Sequence, residues 1–454
     1  MNIRIKYLLV YISLLIAASK NMQAQDSVKV LLLDDCIKIG LEQSAQILRS
    51  QDSLEITGAA LVGAYGQYLP NLNFSGNYGY ISGSNLLTTA EPTLIESKVS
   101  QLNYQLTSTV NIFNGFSNYS TLKAATISNS ASQLNLNRAK QQIAFDITQS
   151  FLQVILDRRI VDYAQNNLDA STKREAQLQE LTSVGRKAMS DLYQQQAETS
   201  NDKLFLIQSD NKLKNDIILL LRKIKISQTD KYKIGDMPLD SLPLGPQYQN
   251  VQDLIDQALK QRADLQSSAL SITRAEWEVK NFQSGYMPRL TFEGGLFSNG
   301  GYFNQLYVNG TNELGPQEPI GRALFGQIYG EAALSLSWNI FDRFYNKTNV
   351  SIAKVYQRNA QIEFDDLTVQ ISSDIKQAYN DYISALQQIE TANHGLFAAS
   401  KAFEVVDGEY NVGKATFIEL SNAQIVLLQS QVSKTQADFN LALQKKIIDF
   451  YIGK

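Results

Sequence analysis

Between Asn118 and Thr182 the chain carries neither a proline nor a glycine, and an equally long stretch between Asn346 and Tyr410 carries no proline. At 1.5 Å per residue each stretch predicts a helix of about 98 Å. Apolar residues at Ile143, Ile147, Phe151, Val154, Val161 and Leu168 recur at spacings of 4, 4, 3, 7 and 7, a coiled-coil-like seam. The remainder is Gln, Asn, Ser, Asp and Lys, the composition of a solvated face. A chain that travels this far must come back. Ser190 to Ile224 and Val251 to Ser284 predict two helices that, end to end, stack to the length of the first long helix. Ile418 to Phe450 and Ile37 to Gly66 do the same for the second, so the two ends of the chain meet midway.

A Val-Gly pair follows each long stretch: SVGRKAMSDLYQQQAE at 183–198 is echoed by NVGKATFIELSNAQIV at 411–426. NIFNGFSNYS at 111–120 returns as NIFDRFYNKT at 339–348 with the same offset, and YLPNL at 68–72 returns as YMPRL at 286–290 with a shorter one. The chain is therefore a tandem duplication, with ten extra residues between Pro288 and Asn339. The expected boundaries are a leader at 1–25, a first repeat at 26–224, a linker at 225–250 and a second repeat at 251–454. Glycine after a long helix takes φ > 0 as a C-cap, and Ser190 or Thr416 can cap the return helix, so Val184, Gly185, Val412 and Gly413 are read as the tips of two helical hairpins.

Charge excludes one class of partner. The balance of 41 Lys+Arg against 44 Asp+Glu gives −3, and removing Arg4, Lys6 and Lys20 of the leader takes it to −6, which argues against nucleic acid. Residues 1–25 read as a secretory signal, with Arg4 and Lys6 before the apolar Tyr7 to Ala18 and a small-residue exit at MQAQ. No window approaches the roughly 20 apolar residues of a transmembrane helix. The lone Cys36 supports no intrachain disulfide or thiolate metal cluster, and lies too far beyond the apolar segment for lipidation; a small buried residue is the expectation.

Strands decide the compartment. In QLNYQLTSTVNIF (101–113) one parity carries Leu102, Tyr104, Leu106, Ser108, Val110 and Ile112, and the other Gln101, Asn103, Gln105, Thr107, Thr109 and Asn111. EAALSLSWNIF (331–341) puts Ala332, Leu334, Leu336, Trp338 and Ile340 against Glu331, Ala333, Ser335, Ser337 and Asn339. Partner strands NLNFSGNYGY (71–80) and RLTFEGGLF (289–297) begin right after the two prolines, giving hairpins over 71–113 and 289–341. Strands of this length with one apolar and one polar face suit an outer-membrane barrel, the apolar parity facing lipid and the polar one water; a soluble amphipathic sheet is the alternative. Four strands cannot close a barrel and lipid tolerates no open edge, so membrane residence requires several copies.

Taken together, the duplicated halves, the Pro-strand junctions YLPNL and YMPRL, NIFNG and WNIFD after the second strand, and the VG tips with DLYQQQAE and ELSNAQ resemble the TolC-like outer-membrane efflux factor family over essentially the whole mature chain. The resemblance implies a mixed α/β membrane protein: a homotrimer with four strands per chain in one twelve-stranded outer-membrane β-barrel, continued by a periplasmic α-helical barrel of coiled-coil hairpins. It implies docking at the tips onto a periplasmic membrane-fusion adaptor and an inner-membrane pump of RND or ABC type, in efflux or type I secretion. Members hold the tip closed by links between the hairpins and narrow the entrance with acidic rings. Here Tyr410 and Asp191 stand where such a link is found, and Glu419 where a ring acid would be. The sequence departs from the pattern at Ala415, where a basic residue is implied and Lys414 or Arg186 would substitute, and at Asn422, which leaves a second acidic ring without an acid. Val184, Met189, Val412, Phe417 and Ile418 are the candidates for adaptor contact.

Catalytic chemistry has little foothold. His394 is the only histidine and has no cysteine or second histidine to work with, and neither a nucleophile elbow, a phosphate loop nor a zinc spacing is present, so no enzyme, cofactor or metal is expected. NGT at 309–311 matches a glycosylation triplet by chance, in a loop at 298–328 expected to cover part of the pore. The expected function is a passive export duct for small molecules or polypeptides; the alternative is a periplasmic coiled-coil adaptor or scaffold without a pore.

Overall fold

A computed structural model of the protein describes residues 29–88, 92–227, 231–237 and 247–454; the expected leader and the prolines of the linker lie outside the described residues. In chain order the elements are β1 (Lys29–Leu31), α1 (Leu33–Gln43), α2 (Ala45–Gly66), β2 (Asn73–Leu87), β3 (Thr93–Asn114), α3 (Ser117–Ser183), α4 (Met189–Lys223), β4 (Tyr232–Ile234), α5 (Val251–Gln261), α6 (Ala263–Gln283), β5 (Arg289–Val308), β6 (Thr311–Asn312), α7 (Ile320–Phe325), β7 (Ile328–Ser337), α8 (Tyr345–Asn411) and α9 (Phe417–Tyr451). The expected long helices are present at 67 residues each, α3 and α8, and both return helices that follow them, α4 and α9, have 35. Two compact units interleave the repeats: a helical unit of Met1–Gln51, Leu136–Ala263 and Thr368–Lys454, and a strand unit of Asp52–Asn135 and Asp264–Leu367.

The other two expected helices are broken. Ser44 (φ −63°, ψ 126°) separates α1 from α2, and Arg262 (φ −65°, ψ 122°), at the equivalent place in the second repeat, separates α5 from α6. Neither break carries a glycine or proline. Ser44 ends one helix with its amide on the Gly40 carbonyl (2.9 Å), and its hydroxyl accepts from the Gln46 amide (3.3 Å), opening the next.

In the helical unit Ile147, Phe151, Val154 and Ile155 of α3, Leu220, Leu221 and Ile224 at the end of α4, and Phe439 of α9 form one buried core with Leu31, Cys36 and Ile234. Three of the six expected seam residues of α3, Ile147, Phe151 and Val154, are therefore core, and Ile143 packs against them. Cys36 lies inside α1, and burial, aided by the neighbouring Asp35 charge, pushes its thiol up to about 11. The linker contributes β4, which pairs in parallel with β1; Arg158 ties it to α3 through the carbonyls of Ile234 (2.7 Å) and Gly235 (3.1 Å).

In the strand unit the sheet order is β2-β3-β5, with β7 also on β5, all antiparallel. The strands run past the expected hairpins: β3 has 22 residues and β5 has 20, so the region expected as a loop from 298 begins as strand. Asn309 and Gly310, both at positive φ, make the turn after β5. Asn309 Oδ1 accepts from the Leu94 amide (2.9 Å), so the NGT triplet is a built turn.

Candidate functional sites: a two-faced sheet and two helical tips

Register puts the apolar parity of every strand on one face. Phe74 pairs with Leu106 and Leu106 with Leu296; Tyr78 pairs with Leu102; Val110 pairs with Phe292 and Phe292 with Leu334; Leu290 pairs with Leu336. The opposite face carries Asn77, Asn103 and Asn299 in one row, Ser75 and Gln105 in the next, and the acids Glu293 and Glu331, which lie diagonally on β5 and β7. Much of the apolar face is bare in the single chain: Phe74 is 69 % exposed, Leu334 63 % and Leu336 71 %. A soluble sheet would bury that face under another layer.

Three expected lipid-facing residues fall elsewhere. Ile112 sits at a β-bulge between Asn111 and Phe113, and Phe113 rather than Ile112 pairs with Leu290. Trp338 and Ile340 lie beyond the end of β7 at Ser337; the Trp338 Nε1 donates to the Tyr286 carbonyl (3.1 Å), which draws the chain out of the ladder. The second hairpin's loop is also misplaced by sequence reasoning. It does not lie over the polar face: α7 packs on the apolar one, with the Tyr104 hydroxyl donating to the Phe325 carbonyl (3.0 Å). Gly300, directly paired with Leu102, permits this, since a Cβ there would meet the Leu324 carbonyl oxygen at 2.1 Å.

Both tips are Schellman turns. Gly185 (φ +73°) and Gly413 (φ +77°) follow the long helices; the amides of Arg186 and Lys414 reach back to the carbonyls of Leu181 and Glu409 (2.8 Å each), while those of Gly185 and Gly413 close on Thr182 and Tyr410. Thr416 caps α9 as expected, in a capping box with Glu419: its amide and hydroxyl donate to Glu419 Oε2 (2.7 and 2.9 Å) and its Oγ1 accepts from the Glu419 amide. The backbone donor at Thr416, then its hydroxyl, hold the Glu419 carboxyl below its ordinary range, so this acid works as a cap. Ser190 does not cap α4; the N-cap is Ala188, which has no side chain to offer, and Ser190 Oγ lies 3.4 Å from Asp191 Oδ1.

Of the adaptor candidates, Val184, Met189, Val412 and Ile418 are exposed at the tips. Phe417 is buried with Leu178 and Leu192, Tyr410 packing beside it, because a large ring at the first helical position folds under the hairpin. Tyr410 and Asp191 share no hydrogen bond in the single chain. The Tyr410 hydroxyl is buried without a partner, and Lys187, rather than the expected Lys414 or Arg186, holds its ammonium 4.4 Å over the ring.

The hydrogen-bonded links between hairpins lie further along the helices, where sequence reasoning saw a solvated face. Gln424 of α9 donates to Asn167 of α3 (2.7 Å) and accepts from Arg174; Asn167 in turn donates to Asp202 of α4 (2.7 Å). Ser421 donates to Glu198 of α4 (2.7 Å). Beside them Gln195, fully buried, donates to the Ser171 hydroxyl (2.8 Å). Burial raises the Asp202 carboxyl, against hydrogen bonds from Ser171 and Asn167 and the Arg174 charge. Amides at helical spacing look like surface until a partner helix arrives with complementary ones.

A second polar cluster joins α3 to α4. Asp157, almost fully buried, accepts from Lys212 Nζ (2.6 Å) and Gln153 (3.0 Å), while its second oxygen has no fixed donor. Hydrogen bonding to Asp157, then burial and the Asp157 charge, push the Asp216 carboxyl up to about 6, against Lys212. A protonated Asp216 supplies the donor that Asp157 lacks. His394 is exposed on α8, and among the described residues no group of three His, Cys, Asp or Glu is placed to hold a metal. No described helix is long and apolar enough to cross a membrane.

Residues 254–453 match the family model described as outer membrane efflux protein. Among solved structures the chain is similar to the outer membrane protein VceC of Vibrio cholerae, at 14 % identity and TM-score 0.76, over 93 % of this chain and 96 % of that one. It is similar to the CmeC outer membrane channel of Campylobacter jejuni, at 16 % identity and TM-score 0.76, over 93 % and 85 %. The same holds for the open state of the MtrE outer membrane channel of Neisseria gonorrhoeae, at 15 % identity and TM-score 0.72, over 93 % and 88 %. At these identities the likeness shows the fold. No functionally curated protein matches.

Proposed function

We propose, from the match of residues 254–453 to the outer membrane efflux protein family model, that the chain is the outer-membrane channel-tunnel of a tripartite efflux pump or type I secretion system, a passive duct through which a partner pump drives small molecules or polypeptides. One observation carries the reading most: a sheet whose apolar face is largely bare outside α7, whose polar face holds Asn77, Asn103, Asn299, Glu293 and Glu331, and whose outer strands β2 and β7 each leave one edge open among the described residues. Lipid covers the apolar face. Three copies joined β7 to β2 satisfy the edges and enclose the polar face as a water-filled lumen. The acids on that face, with no Lys or Arg among the rows from Asn73 to Gly79, make the lumen favour cations.

In this reading the tips dock a periplasmic adaptor through the exposed Val184, Met189, Val412 and Ile418, and an inner-membrane pump of RND or ABC type supplies the energy. Holding the resting tip together falls to Arg174, Gln424, Asn167 and Asp202, with Ser421 and Glu198. The orphaned Tyr410 hydroxyl is the group that gains a partner, with Asp191 as its acceptor, when the tip changes state. The deciding experiment is oligomer mass and planar-bilayer conductance of the detergent-purified protein. A trimer with a cation-preferring conductance supports the duct; recovery as a periplasmic species without detergent would mean a scaffold instead.

A further inference from the structure

We infer that the hairpin end of the sheet carries an apolar collar that closes the mouth of the pore from the outside, an inference that rests on the pore proposed above. The two faces of the sheet exchange polarity along the strands. From Asn73 to Gly79 the row partners on the inner face are polar or glycine, apart from Phe297, as in Asn77–Asn103–Asn299 and Gly79–Gln101–Gly301. One row further on, Ile81 pairs with Val99 and Val99 with Phe303; the mixed rows Gly83–Ser97–Leu306 and Asn85–Ile95–Val308 follow. Over the same stretch the outer face changes the other way, with Ser82–Lys98–Gln305 and Ser84–Glu96–Tyr307 in line with the apolar residues below.

A bulge makes the exchange possible. Phe303 and Leu306 would fall on opposite faces of a regular strand, but the register shift between Lys98 and Val99 leaves Asn304 as the extra residue and returns both to one face. The bulge is held on both sides. Asn304 Nδ2 donates to the Ser100 hydroxyl (2.8 Å), and the Gln317 side chain clamps the Phe303 main chain, accepting from its amide (3.1 Å) and donating to its carbonyl (2.7 Å).

The physical reason lies in the solvent. Beyond the bilayer the outer face meets water, so Glu96, Lys98 and Gln305 belong there, and Tyr80 and Tyr302 stand at the changeover as interfacial tyrosines do. The inner face then holds Ile81 and Phe303, 52 % and 42 % exposed in one chain. Three copies around one axis bring these side chains together, and an apolar ring at a narrow point excludes ions by shedding water. The mouth is thus a second barrier, built from different chemistry than the tips.

The test is thiol labelling of intact cells with a membrane-impermeant maleimide, the native Cys36 being buried. Gln305→Cys labels, and Asn103→Cys, below the collar on the polar face, does not. Adding Val99→Ser and Phe303→Ser makes Asn103→Cys reactive, whereas Phe303→Leu leaves it protected; recovery of each variant as an outer-membrane trimer verifies folding. Labelling of Asn103→Cys behind an intact collar overturns the inference while leaving the pore in place. Failure of Gln305→Cys to label means that this end does not face the exterior, and the outer-membrane reading falls with the collar.

Discussion

At both tips the chain leaves a long helix through the same Schellman turn, yet the second return helix starts under a capping box and a buried phenylalanine, while the first starts from Ala188 with an exposed methionine. The positions correspond one to one: Ala188 with Thr416, Met189 with Phe417, Asp191 with Glu419, all at the offset that relates Gly185 to Gly413. Duplication kept the backbone solution, which depends on one glycine, and let the side chains that lock it diverge. The first tip is therefore the looser of the two, and the one better suited to move.

Four measurements sharpen or break this contrast, each reading local opening at the tips by amide hydrogen exchange unless stated. Phe417→Ala should cost about 3–5 kcal/mol of tip stability, as for a buried aromatic, whereas Met189→Ala should cost under about 1; equal losses would erase the asymmetry. Gly185→Ala and Gly413→Ala should cost about 1–2 kcal/mol each and alike, because strain at positive φ is the whole effect where no atom lies within 4 Å of the added Cβ. Thr416→Ala should lose about 1 kcal/mol, and Ala188→Thr should recover up to a similar amount at the first tip. A null result at Ala188 would mean that Asp191 is held away from the cap.

The smallest effect is a loss of stability with rising pH in the first hairpin. The second hairpin has Ala385, Asn440 and Gln444 where the first has Asp157, Lys212 and Asp216. Asp216 binds its proton more tightly folded than unfolded, so its contribution is present below the ordinary carboxylate range and is lost as pH rises towards about 6. Thermal melts between pH 4 and 7 should show that slope, and Asp216→Asn should flatten it. Glu419 has the opposite sign, its cap weakening as pH falls through its lowered value.

Much of this was legible in the sequence. The repeated NIF and Val-Gly motifs bracket α3 and α8, whose ends lie within a residue of the expected stretches, and the period of two in 101–113 gives the sheet its correct faces from Leu102 to Val110. What escaped was local and lacked a signal in composition. Ser44 and Arg262 break helices by adopting extended backbone, which any residue can do. The bulges at Ile112 and Asn304 each shift a parity by one, and nothing in the residues beside them marks the extra position. The Arg174–Gln424–Asn167–Asp202 chain joins three helices whose facing is a tertiary fact, so its members read as surface until the helices are packed.

The two open strand edges have a consequence for how the protein is made. A single newly made copy presents β2 and β7 as templates that any extended chain can extend, beside a largely bare apolar face. The helical unit has its own core, but the barrel proposed above closes only when two further copies arrive. Biogenesis of the barrel is therefore a race between three-body encounter and off-pathway aggregation, steeply dependent on the rate of synthesis and on whatever holdase shields those edges in the interval.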